Sequence, residues 1–440
     1  MFLKQLSLIS FWRSIRADKT VLLSTVCLVV LGLIAQASVA HGSFLQKQLL
    51  FALLGIPVFC LGYTLPSSSL KKLCWYLYWF SIILLLWVMI KGTTALGAQR
   101  WITIGSFSLQ PSEPAKIASI IALALWFQNN RPKNLIDVIR SGCLIVLLPF
   151  SLIFLQPDLG TALVLVVIFF SMVFWAGASL SQVLILTSPL FLLISSALGE
   201  RLFTLATFQL RNHEINIDCS AIGILVITLI VTFLAINYKV WKSKFRSIML
   251  IFYTFLCLLI AMVGRPIAWG LLEPYQQKRL TIFMNPEADP LGAGYNIIQS
   301  LMAVGSGGLW GQGYKQGRLT QGQFVPEQHT DFIFSSIAEE WGFAGSAIVV
   351  ILFALICVRL FFLIKNLEDS FERLVVAGVL AFLTFHTCVN IGMNIGLMPI
   401  TGVPLPLISY GGTSLWITLL SIGITQRIYK DNSQTPMFNR

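Results

Sequence analysis

The chain has 440 residues, 56% of them hydrophobic and only 11% charged, with a mean hydropathy of +0.81. So few charges cannot cover the surface of a soluble domain, which excludes that class. The net charge is +12, but the basic residues are scattered between apolar blocks instead of gathered on one polar face, which excludes nucleic acid as a partner.

The first apolar block, Thr20–Ala40, contains no charged residue. A bilayer core of roughly 30 Å needs about 20 such residues per helix, so this block spans. It is too long for a secretory h-region and no small-residue cleavage site follows it, so it is read as a retained span. Further apolar segments fall near 45–64, 73–91, 114–127, 141–156, 158–176, 180–198, 220–237, 247–264, 332–358, 374–393 and 407–426, about 12 in all. The fourth and fifth are short, which predicts kinks, tilt or shielding by neighbours. Residues 2–16 fit an interfacial helix or a disordered basic tail equally well. The eight cysteines show neither metal-ligand nor redox spacing and read as packing residues, with only Cys219 loop-borne. The fold class is all-α and polytopic, one integral membrane domain over residues 1–440.

With the N-terminus in the cytoplasm, 19 of the 30 Lys and Arg residues fall inside, most densely at Lys239–Arg246. Short cytoplasmic loops carry such an excess. Residues 1–19 and 427–440 are then cytoplasmic, while 12 of the 18 carboxylates and the long connection 265–331 lie outside. Any chemistry is expected on the outer side. The connection far exceeds the usual helix–helix loop of about two to eight residues. Its aromatics (Trp269, Tyr275, Phe283, Tyr295, Trp310, Tyr314 and Phe324) predict order. Its run Gly305–Gly313 lacks the Gly-Lys-Ser/Thr ending of a phosphate loop and reads as tight turns.

Polar groups concentrate in four stretches at outer helix ends: Gln99–Trp101, Ser112–Lys116, Gln156–Thr161 and Pro326–Asp331. Ionisable groups at membrane depth are costly, so each is a candidate site. Plainer roles stand beside that reading. Asp331 and Asp158 could each be a helix N-cap. Glu113 and Lys116, three apart, could form a local ion pair. His329 could be a hydrogen-bonding loop residue or a relay beside Asp331. No second ligand-like His lies near it, so no metal site is assigned. His386 and Asn390, inside an apolar segment, read as helix–helix glue.

At these residues the sequence resembles the SEDS family (shape, elongation, division and sporulation). The matching stretches are Gly97–Ile102, Gln110–Lys116, Gln156–Thr161, Tyr275–Arg279, Pro286–Gln299, Glu327–Phe334 and Gly402–Gly412. Ser112–Lys116 and Val403–Pro406 are nearer its elongation branch than its division branch. The resemblance implies a helical bundle of ten spans, so two surplus helices fall between residues 178 and 266. It implies a peptidoglycan glycosyltransferase of the bacterial inner membrane that polymerises lipid II with inversion, for cell elongation. Asp331 would be the catalytic base. Arg100, Lys116, Lys278 and Arg279 would be candidates for phosphate contact. Glu113 and Lys116 would pair in the core, and Asp158 would belong to the same outer cavity. The implied partners are lipid II, the undecaprenyl-pyrophosphate-linked glycan, a class B penicillin-binding protein and other elongation-complex proteins. A divalent cation, Mg or Mn, would help neutralise pyrophosphate, though no ligand set is readable. Rival readings are a division-type polymerase, a flippase for lipid-linked precursors and a non-catalytic scaffold. Charge gathered at outer helix ends instead of mid-helix disfavours transport.

Overall fold

The computed structural model describes residues 17–39, 43–95, 98–104, 107–132, 135–179, 182–183, 186–187, 208–210, 213–215, 269–292 and 294–433. The expected spans at 220–237 and 247–264, nearly all of 180–198 and the segment 2–16 lie outside the described residues. In chain order the elements are α1 (Lys19–Val39), α2 (Ser43–Thr64), α3 (Ser67–Lys91), β1 (Thr93–Ala95), β2 (Ala98–Ile104), β3 (Phe107–Leu109), α4 (Ser112–Asn129), α5 (Leu135–Ser141), α6 (Leu147–Leu155) and α7 (Leu159–Trp175). After them come β4 (Phe208–Leu210), β5 (His213–Ile215), α8 (Pro274–Met284), α9 (Tyr295–Ser306), α10 (Arg318–Gln321), α11 (Ile333–Asn366), α12 (Ser370–Asn394) and α13 (Gly412–Asn432). Six helices among the described residues are long and apolar enough to cross a bilayer. The protein is a multi-pass, all-α membrane protein with small strand pairs between its helices.

Packing groups the chain into two compact units. The larger comprises Met1–Arg131, Ile139–Ala176 and Gln299–Arg440, the smaller Pro132–Val138 and Gly177–Ile298.

In the larger unit α12 is the central helix, packed by α11, α7, α4 and α13. Burial of its most apolar window reaches 72%, against 11% for α2, whose Leu53, Ile56 and Leu61 face outward as a lipid-facing surface would. α2 lies along α13 with the backbones in close approach: a Cβ on Gly62 would fall 2.5 Å from the Leu420 carbonyl oxygen, and one on Gly423 2.4 Å from that of Phe59. Small residues permit such crossings where lipid supplies no hydrophobic drive between helices.

The fifth predicted span is indeed irregular. A π-helical turn, Gly142–Val146, joins α5 to α6. Pro149 has no N–H to give Ile145, four residues back, and the Tyr78 hydroxyl donates to that carbonyl instead at 2.9 Å. The fourth span is short because it is sheltered: α4 is buried along most of its length.

Two expectations need correcting. The last span begins at Gly412, not near 407, because residues 402–411 form a loop through Pro404 and Pro406 that serves the site described below. The span expected at 332–358 is also broken, at Gly342 (φ 66°, ψ −163°). The backbone groups freed there are met by the glycine-rich run. Gln312 and Gly313 N–H donate to the Glu339 and Glu340 carbonyls at 3.0 Å each, and Phe343 and Ala344 N–H donate to the Gly308 and Leu309 carbonyls at 2.9 and 3.0 Å. A Cβ on Gly342 would sit 2.3 Å from the Gly311 nitrogen. The conformation at Gly342 is open essentially to glycine alone, so Gly342→Ala should cost at least about 1–3 kcal/mol, read as a lower melting temperature in detergent.

The buried Glu339 carboxylate holds the next part of the connection, accepting from Leu319 and Thr320 N–H at 2.8 Å each and from the Thr320 hydroxyl at 2.5 Å. In the smaller unit α8 starts with Pro274 in its first turn and a reciprocal Glu273–Gln276 capping box, a strong N-terminal signal.

Candidate active site

Asp331 lies in a turn that leads into α11. Phe332 occupies the N-cap position and caps the helix with no side chain, so the N-cap reading of Asp331 fails. The backbone around it is held from three sides. The His329 carbonyl accepts from Gln36 Nε2 of α1 at 2.7 Å and from Tyr410 N–H at 2.9 Å. The Thr330 carbonyl accepts from the Ser409 hydroxyl at 2.6 Å. The Asp331 carbonyl accepts from Asn390 Nδ2 and Asn394 Nδ2 of α12, both at 3.0 Å. Three consecutive carbonyls are therefore anchored to α1, to the 402–411 loop and to the central helix. The Asp331 residue remains partly exposed while its backbone is fixed.

His329 packs its ring against Phe44 (centroids 4.9 Å) and Tyr410 (5.8 Å), with Nε2 3.9 Å from Glu327 Oε2. Burial lowers its pKa below the ordinary 6.5, and Glu327 partly offsets this. The unfolded chain binds this proton more readily than the folded one, so stability rises with pH through this window and is lost as pH falls below 6.5. Melting temperature should fall between about pH 7 and pH 5, and His329→Phe should flatten that part of the profile.

A second cluster joins two stretches that the sequence shows apart. Arg100, on β2, donates from Nε to the Gln156 carbonyl at 3.1 Å and from Nη2 to the Pro157 carbonyl, and its Nη1 stands 3.9 Å from Asp158 Oδ1. Asp158 is the N-cap of α7, accepting from Thr161 N–H at 3.3 Å and the Thr161 hydroxyl at 2.9 Å, and also from Gln110 Nε2 at 3.2 Å. For Asp158 the capping role is the one observed.

The third cluster is enclosed. Lys116 Nζ lies 2.8 Å from Glu113 Oε1, with side chains 0% and 2% exposed. The same Nζ is 3.1 Å from His386 Nε2 and 4.7 Å from the centre of the Phe382 ring. Its donors are thus directed into protein. Lys278 and Arg279 belong to the smaller unit, on α8, where Lys278 pairs with Asp289 at 2.8 Å and Arg279 lies over the Tyr275 ring at 5.5 Å. Among the described residues no three His, Cys, Asp or Glu side chains converge as a metal site would require, so no residue set here is assigned to a divalent cation.

The sequence reading undervalued several residues that build this site. Asn390 and Asn394, four apart in an apolar helix, would share a face and were a readable signal. Gln36 reaches the turn from 293 positions away and Ser409 from 79, with Tyr410 beside it, and no local spacing announces that.

The helical architecture and the buried charges at one end of the bundle define a polytopic membrane protein with an organised polar site at its helix ends. Residues 14–216 and 215–434 match the family model FTSW_RODA_SPOVE, cell cycle proteins, and the chain belongs to that family. It is 36% identical over 396 residues to the peptidoglycan glycosyltransferase RodA of Treponema pallidum (strain Nichols), covering 87% of this chain and 88% of the relative. It is 31% identical over 423 residues to the peptidoglycan glycosyltransferase MrdB of Escherichia coli (strain K12), covering 96% and 95%. Among solved structures it resembles a chain of a peptidoglycan synthase complex described for its coordination of polymerization and crosslinking, with a TM-score of 0.68 and 28% identity over 95% of this chain and 99% of that one.

Proposed function

We propose that this protein is a peptidoglycan glycosyltransferase that polymerises lipid II, of the elongation type, with Asp331 as its general base. The observation that carries the reading is the threefold backbone anchorage of residues 329–331, which fixes a carboxylate-bearing turn in a chain of this family. Relatives named RodA and MrdB support the elongation branch.

In the proposed reaction Asp331 takes the proton from the acceptor sugar's 4-hydroxyl as that oxygen bonds to the anomeric carbon of the lipid-linked glycan. The anomeric C–O bond to phosphate breaks, undecaprenyl pyrophosphate leaves with the electron pair, and the configuration inverts. A positioned base of this kind must lie within hydrogen-bond reach of the hydroxyl, which a rigid backbone favours. Arg100, though committed to the turn at Gln156–Pro157, keeps 22% of its side chain exposed and is the phosphate-facing cation assigned to the larger unit. Within the smaller unit, Lys278 and Arg279 on α8 are candidate cations in their own right. Lys116, being enclosed, supports the fold of the site. An apolar cavity of about 490 Å³, lined in part by Phe334, Ala338, Ile391 and Ile395, gives room for part of an isoprenoid chain.

The membrane is the bacterial inner membrane, with both termini cytoplasmic and Asp331 on the outer face, a placement supported by the distribution of Lys and Arg. The similarity to a synthase complex supports a class B penicillin-binding transpeptidase as partner. The test is polymerisation of purified lipid II by the reconstituted protein, alone and with a transpeptidase, against Asp331→Asn. Glycan strands from the native protein only are the expected result. Equal product from both would remove Asp331 from the role, and no product from folded native protein under either condition would favour a flippase or scaffold.

A further inference from the structure

Four side chains meet inside the bundle where α4 crosses α12: Glu113, Lys116, Phe382 and His386. A lysine ammonium has donors and no acceptor, and one of its partners is His386 Nε2 at 3.1 Å. That nitrogen must therefore present its lone pair, with the ring proton on Nδ1. An imidazolium here would set N–H against N–H beside a second cation in a site of 0–2% exposure. The Phe382 ring face and the Glu113 carboxylate complete the ammonium's surroundings, and the Phe382 and His386 rings meet edge to face with centroids 4.8 Å apart. The contact is specific: it needs an acceptor at that position, not merely a group of that volume.

His386 also lies on the helix that grips the proposed base. Asn390 and Asn394 follow it at intervals of four, so the three side chains share one face of α12. All three are buried. His386 and Asn390 are separated by about 6 Å along the helix axis. A change in the rotation or axial position of α12 at the Lys116 contact would reach the amides that hold the Asp331 carbonyl about one and two turns further along the helix.

We propose that His386 is a positioning residue for the glycosyl transfer: as the acceptor for Lys116 it locks α4 to α12 and thereby sets where Asn390 and Asn394 hold Asp331. The proposal rests on the polymerase reading above and adds a member that touches neither substrate nor the reacting atoms. Its consequence is kinetic. A base misplaced by about 1 Å can cost on the order of 100-fold in rate, whereas substrate binding elsewhere is left unchanged.

The test compares lipid II polymerisation by the reconstituted native protein, Asp331→Asn, His386→Leu, His386→Gln, Asn390→Ser and the His386→Leu/Asn390→Ser double variant, with kcat and KM determined separately. His386→Leu removes the acceptor, and is expected to lower kcat about tenfold or more with KM within about twofold. His386→Gln, whose carbonyl can accept from Lys116, should restore most of the rate. The double variant should be no slower than the slower of its parents, since both act on the same placement. A native kcat for His386→Leu, a His386→Gln variant as slow as His386→Leu, or losses that multiply in the double variant would each overturn the proposal. If His386→Leu is not recovered as monodisperse protein, His386→Asn, whose amide is drawn back from Lys116, takes its place: a slow enzyme with native KM supports the proposal and a native rate overturns it. Strands from the native protein and none from Asp331→Asn keep the underlying reading whatever the His386 variants do. A native protein that makes no strands would take both down together.

Discussion

Asp331→Asn should abolish strand synthesis while leaving the protein as stable as before. The separation of the two effects follows from which atoms do what. The fold uses the backbone of this residue: its carbonyl is held by Asn390 and Asn394, and its N–H donates to the Glu327 carbonyl at 3.1 Å. An Asn side chain is nearly the same size, leaves all three backbone bonds in place and keeps a carbonyl oxygen that can accept where the carboxylate did, so the change in stability should stay within about 0.5 kcal/mol. The proposed chemistry uses the carboxylate, and an amide cannot take a proton from a sugar hydroxyl. Loss of a positioned general base lowers rates by about 10²–10⁴-fold. The measurement is product length and yield from purified lipid II, paired with a melting curve in the same detergent. A variant that loses activity and stability together would assign Asp331 to the fold, and one that keeps both would leave the base to be sought elsewhere.

Much of this architecture was legible because the bilayer limits the choices. A chain that must satisfy its backbone within lipid is either helical or a closed barrel there, and apolar runs of about 20 residues select the helix, so α1, α2, α3, α7 and α12 fall close to their apolar segments. The deviations come where other forces outrank hydropathy. Residues 405–410 are apolar enough to extend a span, yet Pro404 and Pro406, the bonds donated by Gln36 and Gln48, and the Leu405 N–H bond accepted by Ser409 Oγ hold them as a loop. Trp341 and Gly342 follow Glu339 and Glu340 at the start of a long apolar stretch, with no proline to mark a break, and it is the fit of Gly311 against Gly342 that reveals one. The strand pairing of β1, β2 and β3 was not foreseen, because seven residues of mixed polarity around Arg100 carry no long alternation.

The site was legible in part. Glu113 and Lys116 read as a pair from spacing alone, since residues three apart on a helix are neighbours, and they are 2.8 Å apart. That this pair is sealed inside the bundle was implied by the family resemblance and not by spacing, because burial depends on which helices surround α4. The same limit applies to Arg100 and Asp158, which lie on separate segments and meet only through the turn at Gln156–Pro157. Sequence spacing sees along one helix, while this site is assembled across at least five segments of the chain.

Lys116→Met should be the most destabilising of the charge substitutions. Removing the ammonium leaves the Glu113 carboxylate in an interior where its side chain is 2% exposed, and its Oε2 already has no hydrogen-bond partner among the described residues. Breaking one side of a buried pair costs about 3–5 kcal/mol, a large share of a typical margin of about 5–15 kcal/mol. The double variant Glu113→Leu/Lys116→Met removes the stranded charge and should recover most of that loss, because an apolar pair of similar volume can replace a buried ion pair with little penalty. Its activity should nevertheless stay low, since α12 would no longer be tied to α4 through His386. These outcomes separate support from direct phosphate binding. If Lys116 gripped pyrophosphate, Lys116→Met would weaken substrate binding in a protein of normal stability, and adding Glu113→Leu would change neither. A rise in KM with an unshifted melting temperature would therefore place Lys116 at the substrate, and a fall in melting temperature reversed by the second substitution would place it in the framework that holds the base.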